Sequence, residues 1–92
     1  MSPDVRPRLA PKVRLRHDAK TGRDLLLWPE KGMQLNPTAA DIVRLCTGER
    51  TVAEIVAQLT AKYAPQPSEV IEREVLSFLT ALTERALLRS EP

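Results

Sequence analysis

The 92-residue chain holds one cysteine, one histidine, three glycines and three aromatic residues, and each scarcity removes a class of function. The lone thiol, Cys46, can form neither an internal disulfide nor a cysteine cluster for zinc or iron–sulfur. It falls on the apolar side of a short helical pattern beside Ile42 and Leu45, where a buried, inert thiol is expected. His17 alternates onto the polar side of a strand next to Arg16 and reads as a solvated residue. A single histidine and a single cysteine on distant segments assemble no nucleophile–base pair. The glycines are too scattered to cradle a phosphate, and the carboxylates sit where helix starts and solvation explain them. No enzymatic activity, metal or cofactor is therefore expected. Trp28, Tyr63 and Phe78 are too few to stack on single-stranded nucleic acid. The longest apolar run, Leu25 to Trp28, is four residues, against the roughly 20 that span a bilayer. No apolar signal segment precedes it, so a cytoplasmic protein without a membrane partner is expected.

Ninety-two residues provide one domain and one modest core. The net charge of +2 conceals an asymmetry. Residues 1–24 carry seven Lys or Arg against three Asp, whereas residues 25–92 carry seven basic and nine acidic side chains. The basic part is the N-terminal arm and first hairpin; the helical part is mildly acidic.

Residues 1–11 hold Pro3, Pro7 and Pro11 with charges between them and no periodicity, which implies an extended or disordered arm. From Lys12 the alternation places Val13 and Leu15 on one face of a strand. Asp18 to Arg23 supplies a turn, Asp24 to Trp28 a second strand, and Met33 to Leu35 a short third strand after a Pro29–Gly32 turn. Asn36 before Pro37 then reads as an N-cap with proline at the first helical position. The first helix should run from Pro37 to about Cys46 and a second from Val52 to about Tyr63. Thr51 and Glu54 have capping-box spacing at the start of the second. Pro65 ends it, and Ser68 is a candidate N-cap for a third helix. There Ile71, Val75, Phe78, Leu79 and Leu82 share an arc of about 100°, with Leu87 and Leu88 closing the base of the core. Strands followed by a helix–turn–helix and a long third helix predict an α+β, winged-helix-turn-helix-like domain over residues 12–89.

The order Leu35-Asn36, Ala39-Ala40, Leu45-Cys46, Gly48 and Arg50-Thr51-Val52-Ala53-Glu54-Ile55-Val56 resembles the small D proteins of pyrroloquinoline quinone (PQQ) biosynthesis. Upstream Leu26-Leu27-Trp28-Pro29-Glu30 and downstream Val75, Phe78-Leu79, Leu82 and Leu87-Leu88 extend the likeness over residues 8–89. Thr47, where the family suggests an acidic residue, and Trp28, where it suggests Tyr, depart from it. The resemblance implies an adaptor that binds a ribosomally made precursor peptide and presents it to a radical SAM enzyme. It implies that this partner cross-links a glutamate and a tyrosine. The chain has no Cys-x-x-x-Cys-x-x-Cys of its own, which leaves that chemistry to the partner.

Peptide binding is expected by strand addition along Gly32, Met33, Gln34 and Leu35, with Trp28 nearby and the third helix as the second wall. On that helix Arg73 either pairs with an acidic peptide side chain or is simply solvated. Leu76 and Thr80 either floor a groove or, in the case of Leu76, widen the core stripe. The basic arm residues attract acidic segments or merely confer solubility. Two other functions compete. A winged-helix DNA-binding regulator needs a basic recognition helix, yet Ser68 to Arg85 carries four Glu against two Arg. A quinone or intermediate carrier rests on Trp28 alone. A monomer when dilute, with a swapped or edge-paired homodimer when concentrated, is the expected oligomeric behaviour.

Overall fold

A computed structural model describes residues 1–91, with the element order β1 (Arg6–Leu9), β2 (Arg14–Asp18), β3 (Arg23–Trp28), β4 (Lys31–Leu35), α1 (Pro37–Leu45), α2 (Val52–Lys62), α3 (Ser68–Glu84) and β5 (Leu88–Glu91). It is the α+β, winged-helix-like arrangement that the sequence pattern implies. Strands β2, β3 and β4 form an antiparallel meander with β3 at its centre. Leu26 faces inward from β3 and is fully buried, whereas Leu25 and Leu27 point to the opposite face and stay half-exposed. Pro29 and Glu30 close the β3–β4 hairpin, with Glu30 at φ 64°. A non-glycine residue in this left-handed region carries a steric cost.

The helices start where their caps stand. Asn36 Oδ1 accepts from the Ala39 amide at 2.7 Å, and Pro37 opens α1. The Thr51–Glu54 capping box is complete, at 3.1 and 2.9 Å. Ser68 is no cap: it is the first residue of α3, and Pro67 occupies the cap position without a side-chain hydrogen bond. Leu26, Ile42, Ile55, Val75, Leu79 and Leu82 are the deepest apolar side chains and join sheet and helices in one core. Phe78, expected in that core stripe, is only half-buried.

The N-terminal segment departs most from expectation. Part of residues 1–11 is extended but not disordered: β1 pairs with β5, and Pro7 is fully buried. Val5 and Pro3 carbonyls accept the Val52 and Ala53 amides at 3.0 and 3.1 Å, two donors that open every helix without a partner of their own. The Gly48 amide bonds to the Pro7 carbonyl at 2.9 Å. Gly48 itself stands at φ 85°, in the left-handed region that favours glycine. The segment straps the helix–turn–helix to β5.

At the far end of α3 the Ala86 amide bonds to Thr83 O and the Leu87 amide to Leu82 O, while Leu82 and Leu87 are both buried. This is a Schellman closure with alanine at φ 61°, the place normally taken by glycine. Ala86→Gly should therefore stabilise the fold by up to about 1 kcal/mol, the left-handed strain relieved less the added freedom of the unfolded chain. A urea midpoint that falls on substitution would contradict this account.

Candidate peptide-binding site

The meander leaves two strand edges without a neighbour among the described residues, on β2 and on β4. Arg14, Arg16 and His17 stud the β2 edge with exposed charged or chargeable side chains, a pattern that repels an incoming strand. The β4 edge reads Lys31, Gly32, Met33, Gln34, Leu35, with charge only at its first residue. Gly32 and Gln34 are exposed, Met33 is half-buried, and Leu35 is buried, so Leu35 offers its backbone and not its side chain.

Directly after β4, Asn36 begins a groove of about 560 Å³ between the start of α1 and one side of α3. Thr38, Ala39 and Ile42 line one wall; Arg73, Glu74, Ser77, Phe78 and Ala81 line the other. Phe78 is half-buried because one side of its ring packs on the core. Arg73 lies at this groove. Leu76 and Thr80 do not. Leu76 turns towards α2 and lines a separate hollow with Met1, Pro3, Val52 and Val56, so it belongs with the packing of the strap. Thr80 is exposed outside the groove lining. The helical period explains the error: Arg73, Ser77 and Ala81 recur at intervals of four residues on one face, and Leu76 and Thr80 fall one residue off it. Trp28 is also elsewhere, half-buried and lining a separate hollow with Pro11, Pro29 and Leu87, so the structure does not bring it to the groove.

A second cluster, not singled out from the sequence, fixes the groove's α1 wall. Asp41 is buried and accepts from the Tyr63 hydroxyl, from Arg44 Nη1 at 3.0 Å and from Lys62 Nζ at 2.9 Å. Arg44 Nη2 continues to Asp24 Oδ1 at 3.1 Å, and His17 Nδ1 reaches the same oxygen at 3.0 Å. The chain of contacts ties β2 and β3 through α1 to the end of α2. The Asp41–Arg44 spacing of three residues on a helix is the one signal of it in the sequence. Burial pushes the Asp41 carboxyl up, but hydrogen bonds from Tyr63 and Lys62 and the charges of Lys62 and Arg44 outweigh this and hold it below its ordinary value. Bonding to Asp41 raises Tyr63 and Lys62 in turn. Cys46, also buried, has its thiol pushed up to about 12 by desolvation and donates to Ile42 O at 3.2 Å. A thiol so protonated is a poor nucleophile.

Among the described residues no group of three or more His, Cys, Asp or Glu could hold a metal ion, and no helix is long and apolar enough to cross a membrane. A winged-helix-like domain with one open, nearly uncharged strand edge beside a groove defines the architecture of a recognition module. Residues 25–88 match the family described as Coenzyme PQQ synthesis protein D, and the chain belongs to that family. It is 38% identical over 77 residues to the PqqA binding protein of Gluconobacter oxydans, covering 84% of this chain and 79% of that one. Among solved structures it resembles the PqqD truncation of Methylobacterium extorquens PqqCD, a functional, stand-alone recognition element for ribosomally synthesized and post-translationally modified peptides. That match has a TM-score of 0.77 and 33% identity and covers 92% of this chain and 88% of that one. A lasso peptide synthetase B1 complexed with its leader peptide matches with a TM-score of 0.76 and 27% identity, covering 91% of this chain and 98% of that chain.

Because the folded value of Asp41 is depressed, the stability it contributes is complete above the unfolded value near 3.8 and is lost as pH falls through the lower folded value. Asp41→Asn should remove that acid-limb loss and cost about 1–3 kcal/mol at pH 7, where Lys62 loses its charged partner and Arg44 one of its two. Urea titrations between pH 2 and 7 check both; parallel curves for the two proteins would refute the assignment.

Proposed function

We propose that this protein is the peptide-recognition adaptor of PQQ biosynthesis. It takes up the ribosomal precursor peptide as an added strand on β4 and holds it for a radical SAM cross-linking enzyme. The carrying observation is the open β4 edge, nearly free of charge, lying next to the groove between α1 and α3. An extended peptide satisfies the unpaired amides and carbonyls of that edge, while alternate side chains enter the groove. Relatives named for binding PqqA, and the leader peptide bound to a synthetase B1 of the same fold, support this reading. Arg73 at the groove selects an acidic side chain. Met33 supplies the apolar contact beside it.

The protein itself catalyses nothing. Its contribution is effective concentration: a peptide held near the enzyme meets the active site as though present at far higher concentration. It acts in the cytoplasm as a monomer, and pairing of two β4 edges at high concentration competes with the peptide. The N-terminal half of α3 is acidic, with Glu69, Glu72 and Glu74 against Arg73, which disfavours a DNA-reading role for that helix.

Titrating labelled precursor peptide into isotope-labelled protein should move the amide resonances of Lys31 to Leu35 together with those of Arg73, Ser77 and Phe78. Duplex DNA should leave them in place. Arg73→Ala should weaken the peptide roughly two- to tenfold. Unmoved β4 amides at saturating peptide would defeat strand addition.

A further inference from the structure

Strand β4 has two faces, and the groove serves only the inward one. On the outward face the register sets Leu27 opposite Gly32 and Leu25 opposite Gln34. Both leucines are half-exposed and stand outside the core cluster. Gly32 has no side chain, and a Cβ there would lie 2.9 Å from Leu27 Cδ2. Leu27 therefore leans from β3 over Gly32 on β4, towards the open edge. Two residues along, Gln34 Oε1 accepts from Arg23 Nη1 at 3.3 Å. That guanidinium stands beside the same edge and makes no ion pair among the described residues.

Strands lie about 4.8 Å apart, so a peptide on β4 would run about 9.6 Å from β3. With a side chain at position 32 the peptide would be screened from Leu27. With glycine there, Leu27 covers part of the distance, and only a long side chain from the other direction closes the rest. Alanine or serine would leave the gap to water, whereas an aromatic or leucine side chain would also cover the glycine backbone.

We propose that the bound peptide is read on its outward face by Leu27 and Arg23. The side chain opposite Gly32 is large and apolar or aromatic, and the one two residues away, opposite Gln34, is acidic. This inference rests on strand addition to β4 and narrows the substrate class to an extended segment with apolar and acidic residues separated by one position. Gly32 is then a specificity element through its missing side chain, not through backbone freedom.

The test is a double-mutant cycle between the precursor peptide, alanine-scanned, and protein carrying Leu27→Ala, Gly32→Ala or Arg23→Gln, read by fluorescence anisotropy of the labelled peptide. None of the three positions lies in the core, and amide spectra of each variant verify the fold. One large apolar peptide residue should lose roughly fivefold to tenfold on truncation, and Leu27→Ala should cost about as much without adding to that loss. Gly32→Ala should produce a loss of similar size by displacing Leu27. Arg23→Gln should abolish the advantage of an acidic residue two positions away and flatten the salt dependence. Intermolecular contacts between Leu27 methyl protons and the apolar peptide residue should appear in the complex. Additive effects, or Leu27→Ala and Gly32→Ala binding within about twofold of the parent, would overturn the outward readout while β4 amide shifts still upheld strand addition. Absence of those shifts would instead remove strand addition itself, and this inference with it.

Discussion

Every strand has two hydrogen-bonding edges, and a polar backbone group left without a partner must face water or another chain. In this fold β3 spends both edges inside the sheet, and β1 spends one on β5 and the other on the turn between α1 and α2. The β4 strand spends only one. What holds it extended and ready is not its own short length but its attachments. Leu35 is buried at its end, and the Asn36–Pro37 start of α1 follows immediately, fixing where the strand stops and where the groove opens. The capacity to take up another strand thus follows from how the neighbouring elements are satisfied.

Burial of Asp41 supports the same geometry from the other side. An unpaired carboxylate in that position would cost several kcal/mol, so Tyr63, Lys62 and Arg44 are drawn to it from two helices. Arg44 then carries the constraint to Asp24 on β3. Sheet and helix–turn–helix could otherwise slide past each other with small changes in apolar contact. Directional charge pairs favour one placement of β3 against α1 and the end of α2.

Most of this architecture was legible in the sequence because its signals are local. Asn36, Thr51 and Glu54 announce their helices through hydrogen bonds spanning three residues, and the alternation around Leu26 identifies an inward face. The strap was not legible. Val5, Pro3 and Pro7 contribute backbone carbonyls, and their partners Val52, Ala53 and Gly48 lie far along the chain, at the start of α2 and in the turn before it. No pattern within residues 1–11 encodes that pairing, and three prolines there weigh towards disorder. The candidate site was half legible. The β4 edge follows from strand order and Arg73 lies at the groove, but helical spacing alone leaves Leu76 as able to floor a groove as to widen the core stripe. The strap covers that side of α3 through Met1 and Pro3, so an apolar residue there has an internal partner. Missing the strap and misplacing Leu76 are one error.

An open edge is also a hazard, since any extended segment, including a second copy of the chain, can pair with it. The two exposed edges meet that hazard differently. The β2 edge keeps Arg14, Arg16 and His17 facing solvent, and a second β2 would have to bring like charges together. The β4 edge has only Lys31 at one end, so self-pairing there is limited by its five-residue length and not by charge. Five residues give few backbone bonds, so self-pairing without side-chain contacts to reinforce it is weak and needs high concentration. A partner that also fills the groove beside β4 would gain those contacts, and another β4, whose Leu35 is buried in its own domain, would gain fewer. Under the proposed strand addition, the short strand would discriminate by requiring its guest to be anchored twice, once through the backbone and once through side chains.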